Sequence, residues 1–310
     1  MGDSIQLLRY KKSDRDEVLS FVRKVYSTAD SSRLIQQWDW KYEANPFNRH
    51  AEPYILLLKD NARIVGMVST IPVRVSLDGS ELLAMHGCDF IIDPDYRGRG
   101  LSRELIKQHK AENPIGFAWA NEASRRAIAP LSASRSTRLV ALVKPLSVGS
   151  LVQSVTKNRW LARGSNLLSD GVGHLTSLFR QHANCAGLTI TQATAFDERV
   201  DALWRRASAD FPVMVVRDLG YLNWRFVSRP DAKYTLLQAS RDDDLVGYLV
   251  LRSAERNGIR WGYLVDFLVE SRSSSLWGML VEEAVERLRR ERVAIIVCLA
   301  NASPYRRTLY

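Results

Sequence analysis

The chain has 310 residues, 46% of them hydrophobic and 25% charged, which excludes a disordered or fibrous class and gives a length at which one core tends to split into two domains. With 44 Lys+Arg against 34 Asp+Glu the formal net charge is +10, which favours an anionic partner, yet the basic residues lie singly or in pairs without any nucleic-acid-binding signature, so nucleic acid is not expected. Cys88, Cys185 and Cys298 are far apart without metal-ligand spacing, the N-terminus is polar, and no apolar run reaches about 18 residues, so the expectation is a cytoplasmic protein with free thiols, no metal site and no transmembrane segment.

In chain order, amphipathic helices are predicted over Asp14–Tyr26 and Ser31–Tyr42, the second ending on Trp40-Lys41-Tyr42 with Asn45-Pro46 beyond. Short strands over Tyr54–Leu58 and Ile64–Val68 flank a polar turn, and a third covers Cys88–Ile92. A helix follows over Leu101–Ala111, then a strand ending on Ala120-Asn121 and another over Arg138–Val143. Residues 146–187 carry scattered glycines among apolar stretches and read as a connecting segment with short amphipathic helices.

The same order then recurs. Helices are predicted over Phe196–Ser208 and Val216–Phe226, the latter carrying Trp224-Arg225-Phe226 with Arg229-Pro230 beyond. Strands over Tyr234–Gln238, Leu245–Leu249 and Val265–Val269 precede a helix over Leu276–Arg290, whose Val281, Ala284, Val285 and Leu288 have helical spacing. Asp89 recurs as Asp266, and Ala120-Asn121 as Ala300-Asn301. The chain is therefore read as α/β, with two tandem units at 1–145 and 188–310 joined by 146–187, each a mixed, largely antiparallel sheet flanked by helices. Tyr310 follows the second Ala-Asn pair so soon that the last helix and strands of the second unit are expected to be missing.

The chemistry is expected in the run from Asp93 to Leu105, which follows a strand and opens a helix. Gly98 and Gly100 let successive backbone N–H groups converge, the start of the helix at Leu101 and Ser102 adds partial positive charge, and Arg97 and Arg99 add charge-assisted contacts: together, a phosphate cradle. Glycines alone would mark only a strand-to-helix turn. The segment resembles the acyl-CoA signature of the GNAT superfamily of N-acyltransferases, Arg/Gln-x-x-Gly-x-Gly/Ala, with Arg97, Gly100 and Ser102 at the fixed places and Asp93-Pro94-Asp95-Tyr96 as lead-in; Ser102 departs from the usual Gly or Ala. The resemblance covers about residues 4–145 and, more weakly, 188–310. It implies acetyl-CoA or another acyl-CoA as cofactor, pantetheine held by the backbone of Phe90, Ile91 and Ile92, and Asn121 near the thioester. The second unit has Glu270-Ser271-Arg272-Ser273-Ser274-Ser275 in place of the cradle, and is expected to be a degenerate half.

By the same resemblance an amine attacks the thioester directly, with a base on the strand before the cradle. Asp89 and His86 are the candidates, carboxylate and imidazole being the usual choices. Side chains alternate along a strand, so at most one of them faces the thioester unless a bulge intervenes. The recurrence of Asp89 as Asp266 in a unit without a cradle argues for a structural role. The tyrosine acid usual in the helix after Asn121 is absent, leaving Ser124, water or no acid. The paired aromatic runs read first as core packing. The expected function is transfer of an acetyl group to a primary amine of a small molecule or sugar. The alternatives are donation by long-chain acyl-CoA or an acyl carrier protein, and a non-catalytic acyl-CoA-binding scaffold.

Overall fold

The computed structural model describes residues 5–48, 52–119, 121–128, 140–147, 187–270 and 273–300. Most of the expected connecting segment, Ala120, Cys185 and everything from Asn301 onward lie outside the described residues.

The chain divides into two compact units that exchange stretches of sequence. Unit one takes Met1–Ser136 together with Pro212–Val216 and Ser228–Ala232; unit two takes Thr137–Phe211, Arg217–Val227 and Lys233–Tyr310. Each holds one six-stranded sheet among the described residues.

Unit one begins with β1 (Ile5–Arg9), α1 (Arg15–Val25) and α2 (Thr28–Gln36), then runs through β2 (Ile55–Asp60), β3 (Arg63–Leu77) and β4 (Ser80–Ile92) to α3 (Leu101–Glu112), β5 (Gly116–Ala118) and α4 (Glu122–Ile128). The order across the sheet is β1-β2-β3-β4-β5, antiparallel until β5, which runs parallel to β4. α1 buries Val18, Leu19, Phe21 and Val22, an i, i+3, i+4 stripe. α3 sets Leu101 and Leu105 against Leu56, Leu58, Val65, Val68 and Ile92 of the sheet.

Unit two repeats this order. β7 (Leu188–Ala193), α5 (Arg199–Ala207) and the single-turn α6 (Leu219–Leu222) precede β9 (Thr235–Arg241), β10 (Asp244–Arg256), β11 (Ile259–Val269), α7 (Ser274–Arg290) and β12 (Ile295–Ala300). Across its sheet the order is β7-β9-β10-β11-β12, again antiparallel until the parallel last pair. α7 buries Leu276, Trp277, Leu280, Val281, Ala284 and Leu288 in the core of this unit.

Two strands depart from the sequence reading. β6 (Val140–Pro145), expected to extend the first unit, instead pairs antiparallel with β12 and forms the far edge of the second sheet. Conversely β8 (Val213–Val215), late in the sequence, pairs with Val75–Leu77 of β3 in the first. The boundary expected at 145 is thus crossed in both directions, because alternation marks a strand but not its partner. The helices expected over Ser31–Tyr42 and Val216–Phe226 are also not continuous: α2 stops at Gln36 and α6 at Leu222. Each is followed by a π-helical turn, Asp39–Glu43 and Asn223–Val227, which holds the repeated aromatic run.

Candidate active site

β4 carries an extra residue where it passes Ser69. Val68 pairs with Phe90 and Thr70 with Gly87, so Cys88 and Asp89 together oppose a single residue of β3. The bulge resets the alternation and brings His86 and Asp89 into phase, which removes the sequence argument that only one of them shares the thioester's side. β11 has the same bulge, with Val250 opposite Asp266 and Leu251 opposite Leu264. Ser69, which sequence reading passed over, stitches the bulge of unit one. Its buried hydroxyl accepts from the Asp89 N–H at 3.1 Å and donates to the Asp89 carbonyl at 3.3 Å.

Asp89 is a bound carboxylate. The Lys41 ammonium donates to it at 2.6 Å, the Tyr42 hydroxyl also donates to it, and the same hydroxyl meets Ser69 Oγ at 2.6 Å. Burial works against the charge of Lys41, but the adjacent Asp89 outweighs it and raises the ammonium pKa; the Tyr42 phenol is held well above its usual value by burial and then by Asp89. The Trp-Lys-Tyr run therefore has two jobs. Trp40 and Tyr42 fill the core, and Lys41 and Tyr42 hold the bulge acid. In unit two the equivalent Asp266 is held the same way by different residues: Arg217 forks onto both carboxylate oxygens at 2.8 to 3.1 Å, and the Tyr248 hydroxyl donates at 2.9 Å.

His86 sits half-buried with its ring stacked on Phe117 of β5, centroids 4.9 Å apart. Tyr26, the residue after α1, has its hydroxyl pKa pushed up to about 12 by burial and then by the charges of Asp89 and Asp30, with Arg33 and then Arg97 acting in the other direction. This phenol lies directly after α1 and not in the helix after Asn121. Asn121 and Ser124 bond each other, the Ser124 N–H donating to Asn121 Oδ1 at 2.8 Å across the first turn of α4.

Past the bulge the strands part. β5 pairs with Met85, His86 and Gly87 only, so among the described residues no strand covers that edge of β4 from Cys88 through Phe90, Ile91 and Ile92. Gly116 makes the parting start cleanly: a Cβ there would lie 2.6 Å from the Met85 carbonyl oxygen, so only glycine lets β5 lie this close before it diverges. β4 then enters the loop through Asp93, whose buried carboxylate accepts from Lys24 at 2.8 Å, Arg63 at 2.9 Å and the Asp95 N–H at 3.2 Å.

Gly98 and Gly100 adopt φ +77° and +79°, a left-handed backbone that disfavours any side chain. Gly100 is the N-cap of α3, and no side chain caps that helix, so its first N–H groups are left facing the exposed loop. Leu101 turns into the core and Ser102 is half-exposed on the first turn. Arg97 Nε donates to the Ile92 carbonyl at 3.2 Å. Arg99 donates to the Asp95 carbonyl at 2.9 Å and lies over the Tyr96 ring. In unit two the start of α7 is closed instead by Ser273, whose hydroxyl accepts from the Leu276 N–H.

Residues 6–114 match the family model of the acetyltransferase (GNAT) domain. No curated protein sequence matches the chain. Among solved structures, N-myristoyltransferase of Saccharomyces cerevisiae with bound myristoyl-CoA aligns at TM-score 0.58 and 12% identity, over 96% of this chain and 73% of that one. A GCN5-related N-acetyltransferase from Anabaena variabilis aligns at 0.62 and 12%, over 96% and 66%. A conserved Enterococcus faecalis protein described as a probable N-acyltransferase aligns at 0.62 and 10%, over 97% and 66%. At such identities the likeness is one of fold, and it extends over both units. The first unit thus carries a match to the acetyltransferase (GNAT) domain over most of its length, and the second repeats the strand order of its sheet.

Proposed function

We propose that the protein is an N-acyltransferase that binds one acyl-CoA, in unit one, and passes the acyl group to a primary amine of a small molecule or sugar. The observation that carries this reading is the uncapped start of α3 behind Gly98 and Gly100, set directly after a β4 edge that no strand covers. Pyrophosphate accepts hydrogen bonds from the N–H groups of the loop and first helical turn through Ser102, and Arg97 and Arg99 add charge. Pantetheine runs along Phe90, Ile91 and Ile92, as strand pairing would, and brings the thioester to the bulge and to the end of β5 near Asn121.

There the amine attacks the thioester carbonyl carbon; a C–N bond forms, the C–S bond breaks, and the thiolate takes up a proton from Ser124 or water. Of the two candidate bases His86 suits the task better. The Asp89 carboxylate is already engaged by Lys41 and Tyr42 within the core, whereas the half-buried His86 ring lies beside Phe117 at the end of the β4–β5 pairing, and imidazole is a usual general base.

The test is calorimetric titration with coenzyme A, paired with thiol release from acyl-CoA donors across an amine library. One site per chain is expected, and Gly100→Glu should abolish it by placing a side chain and a negative charge in the cradle. The side chain has room, because no atom lies within 4 Å of a Cβ there, but φ +79° strains it, so Gly100→Asn, which carries the same strain without the charge, is the folding control. Two equivalent sites, or unchanged affinity in the folded variant, would overturn the assignment.

A further inference from the structure

The geometry points to a donor carrying a medium-length or longer hydrocarbon acyl chain, laid along Ile115, Phe117 and Trp119, in and on either side of β5; this rests on the acyl-CoA reading above. They stand at every second position, Phe117 within β5, Ile115 at the bend that leads into it and Trp119 directly after it. All three are large, apolar and exposed, at 51%, 37% and 66%. Scattered apolar residues on a surface need no explanation, but a contiguous row does.

The place of the row identifies its occupant. It starts where β5 is still paired, the Met85 N–H donating to the Ile115 carbonyl, and passes the last pair, Gly87 with Ala118; Trp119 lies just beyond, at the point where the strands part. A thioester delivered along β4 emerges beside it. The Phe117 ring already stacks on His86, so one end of the row touches the proposed base. Four residue steps span at most about 13 Å, and the two from Phe117 to Trp119 alone reach about 6 to 7 Å, more than an acetyl group can cover.

Unit two supplies an internal contrast. There the cradle is absent, β6 runs along the outer edge of β12, and the equivalent row opens with a buried Ile295 and a half-buried Val297; only Leu299 is exposed. The unit that keeps the cradle is the one that keeps an open apolar row.

The experiment measures the affinity of the full chain for coenzyme A, acetyl-CoA, butyryl-CoA, octanoyl-CoA and dodecanoyl-CoA, with Trp119→Ala and Ile115→Ala beside the parent. Affinity should climb with chain length by about twofold to fourfold per methylene that the row covers, and then level off. Both variants should lose most of that climb while keeping the parent's affinity for coenzyme A itself. The Trp119 emission, taken as the difference from Trp119→Phe, should be quenched by iodide in the free protein and protected by octanoyl-CoA. Affinity that is flat from acetyl to dodecanoyl overturns the inference and leaves the acyl-CoA reading standing; failure of coenzyme A itself to bind overturns that reading. Trp119 emission already protected in the free protein would show the row covered by the chain, and a dimer broken by Trp119→Ala would show it covered by a second copy. Either result overturns the inference.

Discussion

Asp89 and Lys41 are both nearly buried, with side chains 15% and 12% exposed, and removing one partner leaves the other as an uncompensated charge. Asp89→Asn should therefore destabilise unit one by about 3 to 5 kcal/mol, and a simple loss of activity in that variant would say little about proton transfer. The informative comparison is the double variant Asp89→Asn with Lys41→Met, because replacing a buried pair as a whole is often close to neutral. If the double variant regains both stability and turnover, Asp89 is a positioning residue. Regained stability without turnover would make it the base. His86→Gln, made at a half-buried site outside this cluster, should stay folded and bind coenzyme A. It should lose about 10² to 10⁴ in turnover together with the acidic limb of the pH profile, the usual signature of a lost general base. Full turnover with an unchanged pH profile would clear His86 of the role.

The elements show where sequence patterns stop being informative. The duplication was legible, because Trp40-Lys41-Tyr42 and Trp224-Arg225-Phe226 recur in matching contexts, and so were α1, α3 and α7, whose apolar stripes are long. The glycine turn before α3 was legible too, since only glycine is at ease at the φ of Gly98 and Gly100. The bulge was not, as one extra residue in an apolar strand leaves no mark on composition. Nor was the Lys41–Asp89 pair, which joins a π-helical turn to a strand far along the chain. The breaks after Gln36 and Leu222 were hidden by aromatic residues that continue the apolar spacing.

The junction from β4 into the loop yields an element-scale prediction. Burial alone would raise the Asp93 carboxyl, but its bonds from Lys24, the Asp95 N–H and Arg63 prevail and hold it below the usual carboxylate range. The stability this provides is present above about pH 4 and is lost as pH falls through the lowered folded value. Asp93→Asn should be less stable at neutral pH, and its acid-unfolding curve should be shallower below about pH 4. Parallel acid limbs for parent and variant would show that Asp93 does not govern that loss.

At the scale of the whole molecule, the division at 145 drawn from the sequence fails as a place to cut. A fragment of residues 1–145 would lack Pro212–Val216, which supplies the strand beside Val75–Leu77, and would carry Val140–Pro145 without Ile295–Ala300. It would present two unpaired edges, and such edges invite aggregation. Expressed alone, it should be insoluble or self-associated by light scattering, whereas the full chain should not be. A monomeric, coenzyme A-binding fragment would show that the exchanged strands are dispensable. No helix among the described residues is long and apolar enough to cross a membrane.

The pairing of β6 with β12 also sets a clock. On the ribosome Val140–Pro145 emerges roughly 150 residues ahead of its partner, which at synthesis rates of about 5 to 20 residues per second is a wait of about 8 to 30 s. Through that interval an apolar strand is available to any passing chain, long after β1 to β5 can have zipped together. Newly made protein should accordingly depend on holding factors while the second half is translated, and refolding from denaturant, where all strands are present at once, should be free of that delay.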